Sequence, residues 1–238
     1  MKHIWTISKR ELNTFFDSLV AYIMLIAFLG FSGFFTWMYG ADIFIRKQAD
    51  LQVFFAVARW TLFFFIPAIA MRMIAEEKRS GTIELLLTKN VSDRQLIIGK
   101  YLACLGLVVI ALLFTLIYYY SVSTLGDMDH GATLAGYLGL LLMSSVYISI
   151  GIFGSSLTSN QIVAFLLSLL IAVFFQFIFD VLAVNLDGWI AEVCADLSMN
   201  KRFESMARGV IDSKDLVFFI TMTLLFLMLA ELNISKRG

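Results

Sequence analysis

Residues 75–100 read AEEKRSGTIELLLTKNVSDRQLIIGK. This charged island sits between two hydrophobic segments, each long enough to cross a bilayer, and that setting decides the fold class. Lys78, Arg79, Lys89, Arg94 and Lys100 lie within it and Arg72 just before it, a positive charge density that no other loop between hydrophobic segments matches. Lys and Arg near the ends of spans mark the cytoplasmic face. The island also contains short amphipathic pieces that a plain connector does not need. Gly81 breaks a helix. Residues 82–88 then form a short apolar helix that Glu84 can cap from its N3 position, and Ser92 with Gln95 fits the capping box that restarts a helix. The predicted order is helix, break, short in-plane helix, break, helix: a lever joined to two spans. An interfacial loop with snorkelling side chains has the same spacing and stands beside it as the plainer reading.

The rest of the chain agrees with a membrane setting. Of its 238 residues 60% are hydrophobic and only 15% charged, whereas soluble domains carry roughly 45–50% apolar residues. Mean hydropathy is +0.87. A soluble fold of this size cannot hide that much apolar surface, so the predicted class is all-α, a polytopic integral membrane protein. The net charge is zero, which predicts no nucleic-acid partner. Cys104 falls in a hydrophobic segment and Cys194 in a polar connector, so no disulfide framework is readable. His3 and His130 have no Cys or clustered carboxylates near them in sequence and read as interfacial or loop residues rather than metal ligands. Residues 1–17 are polar and amphipathic, and the apolar run that follows exceeds the roughly 7–15 residues of a signal-peptide core. It is predicted to be a retained first span.

A helix needs about 20 residues to cross the hydrocarbon core. Six segments qualify: 19–39, 53–71, 101–125, 134–156, 162–179 and 216–232, the last two short. An even number places both termini on one side. Eleven of the 18 Lys and Arg fall on the side that carries residues 1–17, 72–100, 157–161 and 233–238. Both termini are therefore predicted cytoplasmic. The chain reads as one transmembrane domain, 1–238, with three accessory parts. Residues 1–17 form an interfacial helix, with Ile4, Trp5, Leu12, Phe15 and Phe16 on one face and Thr6, Lys9, Arg10, Asn13 and Asp17 on the other. Residues 72–100 form a cytoplasmic coupling region. Residues 180–215 form an extracytoplasmic helical connector. In it, Leu186, Ile190, Val193 and Leu197, then Phe203, Met206 and Val210, predict two short amphipathic helices. Asp212 is placed to cap the last span, with Asp215 adding charge in its first turn. Trp37, Tyr39 and Tyr118–Tyr120 read as interfacial anchors. Gly151, Gly154, Ser155 and Ser156 read as a close helix-packing patch.

Function classes narrow by what is missing. There is no G-x-x-x-x-G-K-[ST] loop to cradle phosphates, no G-x-S-x-G and no H-E-x-x-H. The spans carry almost no ionisable groups, so neither an enzyme nor an ion-coupled carrier is expected. Arg59, about a third of the way along the second span, and Gln176 in the fifth are the candidate residues of a translocation path. Arg59 is also near enough to the outer surface to be an interfacial anchor.

The string Glu76-Glu77-Lys78-Arg79-Ser80-Gly81-Thr82-Ile83-Glu84-Leu85-Leu86-Leu87, followed by Val91-Ser92 and Gly99-Lys100, resembles the E-E-x-x-x-G-T-x-E-x-L-L signature of ABC-2-type exporter permeases. The N-terminal Lys9-Arg10-Glu11-Leu12 with Phe15-Phe16, and Arg208-Gly209-Val210-Ile211-Asp212 before the last span, are similar to that family too. Two departures stand out. Prolines usual near Leu19 and Asn90 are missing, and Pro67 is the only one present, so helix breaking must rest on Gly81, Asn90 and side-chain caps. The resemblance implies a multi-pass permease subunit of the bacterial inner (plasma) membrane with ABC-2 exporter permease architecture. It implies pairing with a second permease copy or sister permease above a separate dimer of ABC ATPase subunits, which binds the ATP. The chain itself then holds no cofactor. Glu76, Glu77, Arg79, Gly81, Thr82, Glu84, Leu85 and Leu86 are the implied ATPase-coupling residues. The alternative is a membrane assembly or immunity factor on which the island serves only to dock a cytoplasmic protein.

Overall fold

The structure, a computed structural model, describes residues 2–38, 49–82 and 92–235. Among these all regular structure is helical, in chain order α1 Lys2–Asp17, α2 Leu19–Trp37, α3 Gln52–Ala70, α4 Arg72–Arg79, α5 Asp93–Phe114, α6 Leu116–Ser123, α7 His130–Leu157, α8 Gln161–Val173, a π-helical turn Phe174–Ile178, α9 Phe179–Asn185, α10 Trp189–Leu197, α11 Met199–Ala207 and α12 Ser213–Ser235. Six continuous helical stretches are long and apolar enough to cross a membrane, as the hydropathy predicts: Leu19–Trp37, Gln52–Arg79, Asp93–Ser123, His130–Leu157, Gln161–Asn185 and Ser213–Ser235. Several run beyond the apolar segment into charged sequence, because the charges at their ends find partners in neighbouring helices. Tyr39 and most of the segment between α2 and α3 lie outside the described residues, as do Glu84, Leu85, Leu86 and the rest of 83–91.

α7 is the axis of the bundle. In its most apolar window 78% is buried, against 28% for the first span and 22% for the fifth. Small residues let neighbours approach it. A Cβ on Gly151 would lie 2.4 Å from the Ala70 Cβ, and one on Gly154 would lie 2.2 Å from the Ser168 Oγ. The patch of small residues therefore packs α7 against α3 and α8, as its composition predicts. The outer helices keep apolar faces exposed, Leu19, Ile26, Leu166 and Leu170 among them. That is the surface a lipid solvent tolerates, since lipid tails are as apolar as the side chains.

The second span is interrupted at Met71, four residues after Pro67. Proline carries no N–H and crowds the carbonyl four residues back, and the helix resumes as α4 only past Met71. Ser155 of α7 fills the gap. Its hydroxyl accepts from the N–H groups of Ile74 and Ala75 at 3.0 and 2.9 Å and donates to the Met71 carbonyl at 2.7 Å. Three backbone groups that would be orphaned in an apolar interior are thereby satisfied. The third span starts with the expected capping box: Ser92 Oγ accepts from Gln95 N–H and Gln95 Oε1 accepts from Ser92 N–H, both at 3.3 Å. Asp212 caps α12 by accepting the Lys214 N–H at 3.0 Å. That bond holds its carboxyl below the usual range.

Two ends can be distinguished. The terminal face gathers α1, α4, the start of α5 and the ends of α7 and α12. The opposite, connector face gathers α6, α10, α11 and the starts of α3, α7 and α12. Two short connector helices form, but Leu186 and Val210 of the predicted patterns fall outside them, and the two behave differently. Phe203 and Met206 of α11 are buried against the bundle, and a Cβ on Gly139 of α7 would touch both. Ile190 and Val193 of α10 remain exposed. Aromatics read as belt anchors also divide. Trp37 and Tyr118 pack edge to face at 6.5 Å, Tyr118 donates to the Leu29 carbonyl at 3.0 Å, and Tyr120 stays exposed.

Candidate functional site

The polar hinge between the second and third spans is anchored on the terminal face. α1 lies across the start of α5, where Gly99 permits close approach: a Cβ there would sit 2.7 Å from Ile7 Cγ2. Phe15 is fully buried, and Trp5 points outward with 70% exposure. The amphipathic reading of α1 placed Trp5 and Phe15 on one face. The inward face instead includes Ser8, which is buried, and Glu11, which is 13% exposed. A carboxylate turns inward here because a buried cation waits for it.

That cation is Lys100, with only 1% of its side chain exposed. Its ammonium lies 2.7 Å from Glu77 Oε1 at the end of the second span and 3.5 Å from Glu11 Oε1 of α1. Arg10 adds a second positive charge, 2.6 Å from Glu11 and 3.9 Å from Glu77. Two cations and two carboxylates thus tie α1, α4 and α5 together. Burial pushes the Glu11 carboxyl up, but Lys100 and Arg10 outweigh it and hold the group below its ordinary value. Glu77 Oε2 is buried with no hydrogen-bond partner among the described residues. Removing one member of such a cluster leaves an uncompensated buried charge, which costs about 3–5 kcal/mol.

A second set of bonds ties α4 to α7 and α12. Beyond the Ser155 bonds, Lys78 donates to the Ser156 carbonyl, and the Asn233 amide donates to the same carbonyl at 2.5 Å and to Ser156 Oγ at 3.2 Å. Arg72 rests over the Phe15 ring, 5.5 Å from its centroid. A recess of about 260 Å³ opens beside the cluster, lined by Arg10, Glu11, Arg72, Glu76, Glu77 and Lys100 among others.

The expected coupling residues are distributed accordingly. Glu77 faces inward to Lys100, while Glu76, Arg79, Gly81 and Thr82 are exposed at the end of α4. Gly81 has φ +69°, a backbone state that glycine enters without steric cost. Thr82 Oγ1 and Ser80 Oγ are 2.8 Å apart. Glu84, Leu85 and Leu86 fall outside the described residues. Sequence reasoning did not single out Glu11, Arg10, Lys100 and Ser155 as members of this site. The signals available were Arg10, Glu11 and Lys100 inside strings that resemble the family, and Glu11 as an ionisable residue between Ile7 and Phe15 on one helical face. Its partners, far off in the chain, follow no local spacing.

Arg59 and Gln176 have separate partners. Arg59 Nη1 bonds to Asn200 Oδ1 and lies 3.3 Å from Glu204 Oε1, both on α11, and its guanidinium carbon sits 5.6 Å from the Phe203 ring centroid. Gln176, 3% exposed, lies in the π-helical turn and accepts from the Tyr147 hydroxyl at 2.8 Å. π-turns inside helices mark places where the regular ladder gives way, frequently at functional sites. Among the described residues no group of His, Cys, Asp and Glu is arranged to hold a metal.

The chemistry of this end is that of a mechanical joint. The contacts of Lys100, Ser155, Lys78 and Asn233 each link one helix to another, and the helix ends bordering 83–91 are both held. The ends of the second and third spans and α1 are thereby joined to one another by these contacts. Residues 5–230 match the family described as ABC-2 family transporter protein. No curated protein matches the chain. The family match runs from the first turns of α1 into the last turns of α12, and so takes in all six spans, the hinge and the connector. This multi-pass membrane protein, a permease subunit by fold and by sequence, belongs to the ABC-2 transporter family.

Proposed function

We propose that this permease subunit works in an ATP-driven export complex of the bacterial inner membrane. Both termini and residues 75–100 face the cytoplasm, and a separate ATPase dimer docks on that stretch. A second permease copy or a sister permease completes the translocation unit. We further propose that the subunit is a counterpart of the gliding-motility-associated permease subunit GldF and serves gliding motility or secretion. ATP stays with the ATPase, and the permease needs no cofactor of its own.

The observation that carries this reading is the double anchorage of the hinge. Glu77 at its start and Lys100 in the first turns beyond it share one buried ion cluster with α1. The exposed Glu76 and Thr82, with Glu84 beyond, are left to meet basic residues of the ATPase. Closure of the ATPase pushes the hinge, the cluster moves as one piece, and spans one to three tilt. A loop that merely snorkelled would have no need of a buried ion cluster tying both of its ends to a third helix.

The test uses single cysteines, Glu76→Cys and Thr82→Cys, in a protein whose Cys104 and Cys194 are replaced. A membrane-impermeant maleimide is expected to label them only after permeabilisation, and cross-linking is expected to trap a nucleotide-hydrolysing subunit. Labelling in intact cells, or capture of no such subunit at either position, removes the proposal.

A further inference from the structure

At the connector face a second recess of about 260 Å³ lies between the start of α3 and α11, walled by Gln52, Phe55 and Arg59 on one side and Phe203, Glu204 and Arg208 on the other. We propose that this recess binds the phosphate group of a ligand, with Arg59 as the primary contact and Arg208 as the second.

The first argument is an unfinished guanidinium. Arg59 is 12% exposed and its Nη1 edge is taken by Asn200 and Glu204. Its Nε is buried and has no hydrogen-bond partner among the described residues. A buried donor left unpaired is costly, and more so on a charged group. Arginine presents its donors as a planar fork that suits the paired oxygens of an oxyanion. A modest turn of the guanidinium toward the recess gives this donor an oxyanion partner.

The second argument is charge. Two cationic side chains and one carboxylate line the recess, which leaves one positive charge in excess. The carboxylate is only loosely held, since Glu204 is 51% exposed and 3.3 Å from Arg59. An entering phosphate can displace it. Arg208 is exposed, and among the described residues its side chain is anchored through Nε alone, to the Glu204 carbonyl at 3.2 Å, which leaves its Nη groups for the ligand.

The third argument is position. Arg59 is seven residues past Gln52 on a helix that rises about 1.5 Å per residue, so the recess opens within about 10 Å of the connector end of the span. Two sources of phosphate reach that depth: the headgroup of a bilayer lipid, and a soluble phosphate compound entering from the water. The shared chemistry is the phosphate, and the sources separate experimentally.

The test takes the full chain, delipidated in a neutral maltoside detergent, and needs neither ATPase nor transport, so its outcome is independent of the coupling proposal. The probes are inorganic phosphate, read by thermal shift, and phosphatidylglycerol, read by retention in native mass spectrometry. Retention of phosphatidylglycerol that drops about tenfold or more in Arg59→Gln identifies a headgroup site, since a charge-assisted bond contributes about 1.5–3 kcal/mol. A thermal shift by inorganic phosphate alone, absent in Arg59→Gln, identifies a soluble phosphate compound. Glu204→Gln removes the competing carboxylate and is expected to tighten either probe, while the exposed Arg208→Gln weakens it. These two surface variants decide the question even if Arg59→Gln does not fold. Binding of both probes unchanged in Glu204→Gln and Arg208→Gln overturns the assignment, as does a wild type that binds neither.

Discussion

The two ends of the bundle hold their charges in opposite ways. On the terminal face, Lys100 is almost fully buried and meets two carboxylates drawn from two other helices, with Arg10 closing the ring. On the connector face, Arg59 meets one half-exposed carboxylate and an amide, and one of its donors is left over. The first arrangement sums to zero within the cluster, although Glu77 Oε2 keeps no hydrogen-bond partner among the described residues, so moving one helix uncovers a charge unless the others follow. The second is incomplete and open, so it can accept something. The same residue types thus make a joint at one end and a receptacle at the other, and what separates them is whether the charges sum to zero within the fold.

The comparison breaks most sharply at Lys100. Lys100→Met should lose about 3–5 kcal/mol of stability by leaving the buried Glu77 and Glu11 carboxylates with only the half-exposed Arg10 between them. The triple change Lys100→Met, Glu77→Gln, Glu11→Gln should recover most of that loss, because an apolar or neutral replacement of a whole buried cluster is often nearly neutral. Denaturant unfolding in detergent reads both, and a triple variant no better than the single would argue against the cluster as drawn. Next in size is Ser155→Ala. It strips partners from Ile74, Ala75 and Met71 at the interruption after Pro67, and should cost about 1–3 kcal/mol, with faster hydrogen exchange confined to α4.

At Gly81, alanine should cost about 1–2 kcal/mol from the positive φ alone. Serine should cost about the same, since among the described residues a Cβ at that position meets nothing within 4 Å; a large difference between the two in a thermal melt would point to a contact the strain argument omits. Arg59→Gln should cost about 1–2 kcal/mol, less than Lys100→Met, because the carboxylate it leaves behind, Glu204, is 51% exposed and can turn to water. A comparable loss from both would erase the distinction between the closed end and the open one. The smallest effect belongs to Glu76→Gln. Being exposed and outside the cluster, it should stay within about 0.5 kcal/mol of the parent in stability while abolishing stimulation of the ATPase. That combination separates docking from folding more cleanly than any change at Glu77.

Local patterns were legible wherever the cause was local. The Ser92–Gln95 capping box, the Asp212 cap, the small-residue patch at 151–156 and the two connector helices are all present. Each depends on residues within a turn or two of one another, or on composition along a single helix face. The readings that changed on folding involve pairing across the chain. Trp5 and Phe15 part company because Glu11 has to reach a lysine 89 residues away. Arg59, open between a cavity wall and an anchor, is held by α11, 141 residues on.

What the sequence by itself determined is the medium and the periodicity: 60% hydrophobic residues and six long apolar runs admit only helices that satisfy their own backbone within a bilayer, and the E-E-x-x-x-G-T-x-E-x-L-L string marks the family. Only the tertiary structure decided which charges neutralise one another and which are left open. Helix periodicity places a side chain on a face, but the partner across that face comes from a distant segment. The sign and burial of that partner, rather than any local pattern, make Lys100 part of a joint and Arg59 part of a recess.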